Sequence, residues 1–177
     1  MILLVDTTNK DLLIALFDSS YKLIKKIHFK NLKQKVETLD QSFKNILNEF
    51  NFKITDLKEL YIAKGPGLFT GVRIALVYFQ TFSLFHNFKI FTSDSFIFLD
   101  GEKLLIDAKG NKYFYKENID DLDIKIGSEN IEHFPEFNYD KIIDNFSKYK
   151  GKFILEKDNS NIKEIYLKDP QIGKAKW

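Results

Sequence analysis

The sequence contains no cysteine among its 177 residues, and it has only three prolines and one tryptophan. The lack of cysteine excludes disulfides, thiolate metal sites and cysteine nucleophiles. No stretch approaches the roughly 20 consecutive apolar residues that a membrane helix requires. The apolar run at the N-terminus, Ile2–Val5, is too short for a signal peptide and predicts a buried strand. We therefore expect a protein of the cytoplasm that makes no membrane contact.

The sequence also lacks a strong excess of either charge, since its formal net charge is +2. A protein that binds nucleic acid by itself usually carries a basic stripe or a much higher net charge. The lysines are scattered, and short clusters such as Lys22–Lys26 are typical of a solvated surface. We therefore expect any contact with RNA to be shared with a partner protein.

Apolar residues make up 44% of the sequence and charged residues 29%, which is enough to build a globular core. Three apolar segments joined by short polar turns open the chain at Ile2–Val5, Leu12–Phe17 and Tyr21–Phe29. They predict three strands in an antiparallel meander. Two later strands are predicted at Leu60–Ala63 and Lys89–Thr92.

The turn signal Asp100-Gly101-Glu102 predicts a boundary between two lobes, residues 1–100 and residues 101–177. In the second lobe, Leu104–Asp107 and Lys112–Tyr115 read as a hairpin. A last strand is predicted at Lys152–Leu155. The acidic stretch between residues 117 and 145 has no clear pattern, and residues 162–177 read as a tail.

A first helix is predicted over Lys35–Asn51, where the apolar residues are spaced alternately three and four apart. Those residues are Val36, Leu39, Phe43, Ile46 and Phe50. Such a stripe either packs on the sheet of its own chain or forms a helix–helix interface with a partner. The sequence leaves both alternatives open.

A second helix is predicted over Thr70–Phe85, with Thr70 as its N-cap. This helix is apolar on nearly every face, and such a helix is normally buried all round. Complete burial is hard to arrange inside a chain of 177 residues. We therefore expect part of the surface of this helix to meet another subunit.

Two turns carry residues that could contact an anion. In the first, Asp6-Thr7-Thr8 follows the first strand, where a carboxylate and two hydroxyls could meet phosphates or a metal-bound water, or simply form a turn. In the second, Gly65–Arg73 joins a strand to the second helix. Its glycines, the helix start and Arg73 could cradle a phosphate, or the glycines could serve turn geometry alone. The glycine spacing matches neither a P-loop nor a dinucleotide fingerprint.

Catalytic and metal signatures are weak. The three histidines His28, His86 and His133 lie far apart in the sequence without an i, i+4 pair, so a metal site is poorly supported. No serine occupies a glycine-flanked nucleophile elbow. The sequence thus predicts no catalytic residue and no metal ligand.

Residues 65–75, which read GPGLFTGVRIA, resemble the hallmark of the TsaB (YeaZ) family of tRNA-modification proteins, roughly GPGSFTGVRIG. Asp6-Thr7-Thr8 is similar to the family's D-T-S/T turn after the first strand, and residues 35–39 stand where the family has H-S-E-x-L. Residues 107–113 resemble its D-A-R-x-x-x-V-Y hairpin, and residues 165–168 its terminal V-Y-L-R. The departures are Lys35 and Val36 in place of His and Ser, and Leu68 in place of Ser.

The resemblance implies an actin/hexokinase/Hsp70-like (ASKHA) α/β fold, with a five-stranded mixed sheet in the first lobe and a reduced second lobe. It also implies a function. Such proteins are non-catalytic partners of the related TsaD, which transfers a threonylcarbamoyl group to the adenosine beside the anticodon of tRNA. The TsaD metal motif H-x-x-x-H has no counterpart in this sequence.

The resemblance further implies pairing through the two helices, with TsaD as a heterodimer or as a homodimer, while the ATPase TsaE joins the pair. Contact with tRNA would then be made through the complex. The interface residues would be Val36, Leu39, Phe43, Ile46, Phe50, Phe69, Val72, Arg73, Leu76 and Phe79. Vestigial nucleotide or phosphate contacts would be Asp6, Thr7, Thr8, Gly65, Gly67 and Thr70.

No intrinsic cofactor is implied, and ATP or ADP at the partner interface is left open. Two alternatives compete with the partner role. One is a small ATP-dependent phosphotransferase of the same fold, suggested by the polar turn and the glycine loop. The other is a peptidase, which neither a metal pair nor a nucleophile elbow supports.

Overall fold

The computed structural model describes residues 1–101 and 103–167, which form two β-sheets with helices around them. The first part of the chain runs through β1 (Ile2–Asp6), β2 (Leu12–Phe17), β3 (Leu23–Phe29), α1 (Lys35–Glu49), β4 (Glu59–Ala63), α2 (Phe69–Ser83) and β5 (Lys89–Ser93). The second part runs through β6 (Leu104–Asp107), β7 (Tyr113–Lys116), β8 (Lys125–Gly127), α3 (Tyr139–Asp144), α4 (Phe146–Tyr149) and β9 (Ile154–Leu155).

The larger sheet has the strand order β3-β2-β1-β4-β5-β9. The pairs β1–β2 and β2–β3 are antiparallel, as the predicted meander requires, whereas β4 and β5 run parallel to β1 and to each other. The prediction of a mixed sheet is therefore confirmed. Its strand count was one too low, because β9 from the C-terminal half adds an antiparallel edge beside β5.

Both faces of this sheet are covered, so its inner strands read as continuous apolar runs rather than as alternating ones. On one face, Leu3 and Val5 of β1 pack with residues of α1 and α2. On the other face, Ile2 and Leu4 pack with residues of α3 and α4. The two helical layers therefore lie on opposite sides of the first sheet.

Helix α1 has the predicted amphipathic character, and its buried stripe faces its own sheet. Leu39, Phe43 and Ile46 are almost fully buried in the core cluster that contains α2. Phe43 lies 5.3 Å, between ring centroids, from Phe79 of α2 in an edge-to-face arrangement, a geometry that aromatic pairs favour. Of the two alternatives for this stripe, packing on the chain's own sheet applies to these three residues.

Two predicted boundaries need correction. The third strand begins at Leu23 rather than at Tyr21, because Tyr21 has a φ of 63° and belongs to the preceding turn. Helix α2 begins at Phe69 with Leu68 as its N-cap, and no side chain caps it. Thr70 is therefore a residue of the first helical turn and not the predicted cap.

The second half of the chain contains the sheet β6-β7-β8 and the helices α3 and α4. The predicted hairpin is present as β6–β7, and β8 extends it. The stretch that lacked a sequence pattern supplies β8 and α3, and α3 packs on the first sheet. The lobe boundary at residue 100 stays a prediction, and the predicted tail beyond residue 167 lies outside the described residues. Within the described ranges, no helix is long and apolar enough to cross a membrane.

The core position of Phe43 gives a test of this packing. We expect Phe43→Ala to lower the free energy of unfolding by about 3–5 kcal/mol, because it removes a buried ring and leaves a cavity. Urea unfolding measures the change. Gln41→Ala, on the exposed side of the same helix, is the matched control and should change stability by less than about 0.5 kcal/mol. Equal effects of the two changes would contradict the assignment of Phe43 to the core.

Candidate functional site

The polar turn after β1 and the glycine loop after β4 meet at one edge of the first sheet, because β1 and β4 are parallel neighbours. The backbone N–H of Leu68 donates to the carbonyl oxygen of Thr8 at 2.7 Å. The hydroxyl of Thr7 donates to the carbonyl oxygen of Gly71 at 2.7 Å. The structure thus brings together two segments that the sequence separates by about 60 residues.

Two glycines make this contact sterically feasible. A Cβ atom at Gly67 would lie 2.2 Å from the carbonyl oxygen of Thr8, and one at Gly71 would lie 2.4 Å from that of Thr7. Both distances are far shorter than any real carbon–oxygen contact. These glycines therefore serve the close approach of two backbones, which is one established use of the residue.

The carboxylate of Asp6 is enclosed by its own chain. Its Oδ2 accepts a hydrogen bond of 2.5 Å from the hydroxyl of Tyr139 on α3, and its Oδ1 accepts one of 3.1 Å from the backbone N–H of Thr8. Burial raises the pKa of Asp6 despite these hydrogen bonds. Burial and the nearby carboxylate of Asp6 also raise the pKa of Tyr139, so its hydroxyl remains a donor.

Lys35, at the first position of α1, is buried against the same turn. Its ammonium group donates to the carbonyl oxygen of Thr7 at 2.9 Å and also to that of Asn9. Burial lowers the pKa of Lys35, and Asp6 partly offsets the effect. Sequence reasoning treated this lysine only as a departure from the family pattern, and it missed Tyr139 altogether because the intervening 132 residues carry no signal of this contact.

The residues of this turn do not fit the nucleotide phosphate that the ASKHA fold implies. The carboxylate of Asp6 is bound to Tyr139, and the N–H of Leu68 is bound to Thr8. The hydroxyl of Thr8 is buried without a hydrogen-bond partner among the described residues, and the backbone of Gly67 packs directly against the carbonyl oxygen of Thr8. Within residues 1–101 and 103–167, no group of three His, Cys, Asp or Glu side chains could hold a metal ion.

The remaining residues predicted to contact a nucleotide serve structure as well. The carbonyl oxygen of Gly65 accepts a hydrogen bond of 2.8 Å from the N–H of Ser95. Thr70 is exposed on the first turn of α2. Neither residue points to a ligand.

The structure places the ten residues predicted at a partner interface in two groups. Six of them are almost fully buried inside the chain: Leu39, Phe43, Ile46, Val72, Leu76 and Phe79. These six side chains belong to the chain's own core, because α1 and α2 must cover one face of the first sheet. Of the other four, Phe50 is half-buried, whereas Val36, Phe69 and Arg73 are exposed.

An exposed stripe runs along α2, with residues four apart at Phe69, Arg73, Val77 and Thr81, and Phe85 continues this spacing two residues beyond the end of the helix. The apolar members Phe69, Val77 and Phe85, with Leu84 beside them, are between 46% and 79% exposed. Val36 of α1 adds a further exposed apolar residue. Isolated exposed apolar residues need no explanation, but a contiguous set marks an interaction surface.

The C-terminal segment 159–167 lies along one side of α2. Arg73 forms a salt bridge of 2.6 Å with Glu164, and the ring centroids of Phe69 and Tyr166 are 5.1 Å apart. The side-chain amide of Gln80 donates to the carbonyl oxygens of Asn159 and Ile162. The family-like terminal motif therefore extends the exposed surface of α2.

Comparisons with known proteins bear on this arrangement. The sequence model of the TsaD family, described as tRNA N6-adenosine threonylcarbamoyltransferase, matches residues 30–97. YeaZ from Pseudomonas aeruginosa superposes with a TM-score of 0.69, at 14% identity, over 94% of this chain and 99% of its own. The chain has the fold of YeaZ.

A second solved structure superposes with a TM-score of 0.70 at 14% identity, over 94% of this chain and 99% of its own. It is described as an uncharacterized protein with similarity to peptidase YEAZ from Pseudomonas aeruginosa. No curated protein sequence matches this chain significantly. The predicted resemblance to the TsaB (YeaZ) family and the predicted ASKHA-like fold class are confirmed.

The segment that matches the TsaD family spans residues 30–97 and so contains both α1 and α2. The matched segment therefore contains the glycine loop, the core stripe of α1 and the exposed stripe of α2.

Asp6 gives a pH-dependent test of the enclosed turn. Its pKa is raised in the folded chain above the ordinary value of 3.8, so the folded state holds this proton to a higher pH than the unfolded state does. The contribution of Asp6 to stability therefore falls as the pH rises from about 3.8 through its raised folded value. We expect the stability of the unmodified chain relative to Asp6→Asn to decrease over that window, as measured by urea unfolding at a series of pH values. A pH-independent difference would contradict the burial of this carboxylate.

Proposed function

We propose that this chain is a non-catalytic partner and activator of a TsaD threonylcarbamoyltransferase, in the threonylcarbamoyl-adenosine modification of tRNA next to the anticodon. A role in this tRNA modification is supported by the YeaZ fold and by the match to the TsaD family. The protein would act in the cytoplasm, where tRNA modification takes place.

The partner role rests chiefly on the exposed apolar stripe of α2. Val77 projects into solvent from a helix whose opposite side is buried in the core, and Phe85 is exposed just beyond the C-terminal end of that helix. A pair of helices that buries such a stripe against a similar pair on another subunit gains the hydrophobic free energy of that surface. The TsaD-like segment of this chain contains α1 and α2, so a TsaD subunit would offer a related pair.

The non-catalytic assignment is supported by the enclosed turn. The carboxylate of Asp6, in the turn after β1, is already bound to Tyr139. The glycines of the loop allow its backbone to pack closely against the turn after β1. Both features favour a scaffold over an enzyme that grips a nucleotide at this turn.

The proposed role also includes contacts with other members of the complex. TsaE would join the pair, and tRNA would be reached through the complex. A homodimer would use the same α1–α2 surface, so TsaD would compete with a second copy of this chain for it. A nucleotide at the partner interface stays a prediction.

A charge placed in the stripe tests the pairing. We expect Val77→Asp to abolish co-elution with TsaD in size-exclusion chromatography, because burying an unpaired carboxylate costs several kcal/mol, or about a hundredfold or more in affinity. Val77 is exposed, so this change spares the core, whereas Phe43→Asp or Val72→Asp would unfold the chain before reporting on pairing. Leu122→Asp, at an exposed residue before β8, is the matched control and should leave co-elution intact. Co-elution of the Val77→Asp chain at the normal level would show that TsaD does not bind at this surface.

Reconstitution tests the activator role. We expect modified tRNA to form at a measurable rate from TsaD, TsaE, threonylcarbamoyl-adenylate and tRNA only when this chain is added. This chain alone is expected to give none. Full activity of the other components without it would reject the proposal.

The phosphotransferase alternative gains no support from the geometry of the turn. A cleft of about 360 Å³ lies beside Thr8 and Gly67, but the carboxylate of Asp6 and the N–H of Leu68 are bound within the chain. Calorimetric titration of the isolated chain with ATP and Mg²⁺ separates the two functions. Saturable heat at submillimolar ATP would favour the phosphotransferase.

A further inference from the structure

A second cleft lies on the side of the molecule away from α1 and α2, between the small sheet and the helices α3 and α4. Its volume is about 620 Å³, which is within the range that holds small organic ligands. Its floor includes Ile97, Leu99 and Leu104, three apolar residues that are nearly buried. Tyr149, partly exposed at the end of α4, adds an aromatic ring to the wall.

The rim of this cleft is basic. Lys141, Lys148 and Lys152 line it together with a single carboxylate, that of Glu117. Glu117 is itself paired with Lys125 at 2.5 Å. The one acidic group of the lining is therefore already neutralised from outside the cleft.

The three rim lysines differ in their partners. Lys141 pairs with Asp100 at 2.7 Å, and Lys152 pairs with Asp120 at 2.9 Å. Lys148 is exposed and has no ion-pair partner among the described residues. One ammonium group thus faces solvent at the mouth of an apolar cleft without a counter-charge.

The local sequence around Lys148 alternates cations with small or aromatic residues: Lys148-Tyr149-Lys150-Gly151-Lys152. The ammonium group of Lys150 lies 3.7 Å from the centroid of the Tyr21 ring, a cation–π contact that brings the β2–β3 turn beside this segment. That turn contributes Lys22, which is exposed and also has no ion-pair partner in the described part of the chain. The positive surface therefore continues beyond the cleft.

We propose that this cleft binds a nucleotide unit of single-stranded RNA. The phosphodiester would lie at Lys148 at the mouth of the cleft, the next phosphate of the strand would lie at Lys150 beside the cleft, and the base would lie on the apolar floor beside Tyr149. Proteins that bind single strands combine a basic track for the backbone with apolar or aromatic surfaces for the bases. A single-stranded base is needed for such a contact, because in a duplex its faces are stacked and covered.

The site deepens the proposed function, and it rests on that function only for the identity of the RNA in the cell. Because α3 and α4 pack on the face of the first sheet opposite α1 and α2, RNA and a partner subunit could bind at the same time. The low net charge of the chain concealed this site, since acidic residues near the cleft, Asp100 and Asp120 among them, offset its lysines in the total. The expectation that RNA is reached only through a partner would then need revision.

Fluorescence anisotropy of the full chain with a labelled single-stranded RNA of mixed sequence tests the site. We expect Lys148→Ala/Lys150→Ala to weaken binding about tenfold or more. We also expect it to lower the slope of log affinity against log salt concentration by about 1.4, since each phosphate contact to a single strand contributes about 0.7. Lys148 is exposed and Lys150 is half-buried, and thermal melting checks that the variant remains folded.

Lys44→Ala is the matched control, because Lys44 is an exposed lysine on α1, across the sheet from the cleft. Its affinity for RNA and its salt slope should equal those of the unmodified chain. An equal loss in this control would show general charge attraction and would overturn the site. Displacement of the RNA by polyphosphate at the same phosphate concentration would show that no base is held, and it would overturn the nucleotide assignment.

The outcomes separate this inference from the proposed function. If the chain co-elutes with TsaD but binds no RNA, the proposed RNA site is wrong and the proposed partner role stands. A chain that binds RNA through Lys148 and Lys150 but does not pair with TsaD would support the cleft and count against the partner role.

Discussion

The contact between the turn after β1 and the glycine loop after β4 is the constraint on which the arrangement of this protein depends. Two backbones approach so closely at Gly67 and Gly71 that no side chain could stand between them. The hydrogen bonds from Leu68 to Thr8 and from Thr7 to Gly71 then fix where α2 begins. The direction of α2, and with it the position of the exposed stripe from Phe69 to Phe85, follows from this contact.

Polar groups that could have served chemistry are used here for structure. The carboxylate of Asp6 accepts from Tyr139, and the ammonium group of Lys35 donates to two backbone carbonyl oxygens. Buried charged groups are tolerated only when their hydrogen bonds are satisfied. The result ties α3 and the start of α1 to one turn of the first sheet, and it occupies the carboxylate of Asp6 and the ammonium group of Lys35.

The two helical layers give the first sheet two different outer surfaces. The α1–α2 side exposes Phe69 and Val77 on α2, with Leu84 and Phe85 just after it, which suits association with another protein. The α3–α4 side carries a cleft with lysines at its rim, which suits an anionic ligand. The proposed partner role and the proposed RNA contact thus occupy opposite sides of one sheet and do not compete for surface.

Much of the first half of the fold could be predicted from local pattern. The strand at Leu12–Phe17 was predicted to the residue, and α1 ends two residues earlier than predicted, because apolar runs and helical spacing are properties of neighbouring residues. The strand predicted at Lys152–Leu155 is present only at Ile154–Leu155, and a two-residue edge strand carries almost no pattern of its own. The predicted N-cap of α2 at Thr70 was wrong. Of the predicted interface residues, the sequence could not separate Val36 from Leu39, because the apolar spacing marks a stripe without saying how much of it the sheet covers.

The sequence by itself determined the glycine loop, the resemblance to the TsaB (YeaZ) family, the amphipathic α1 and the surplus of apolar residues in α2, since each of these is local. Only the tertiary structure decided which apolar side chains face the core and which face solvent. It also decided that Tyr139 would reach Asp6 and that Lys35 would fill the turn, and it placed Lys148 at the mouth of an apolar cleft. These contacts join residues far apart in the chain, and their geometry exists only once the sheet has brought the segments together.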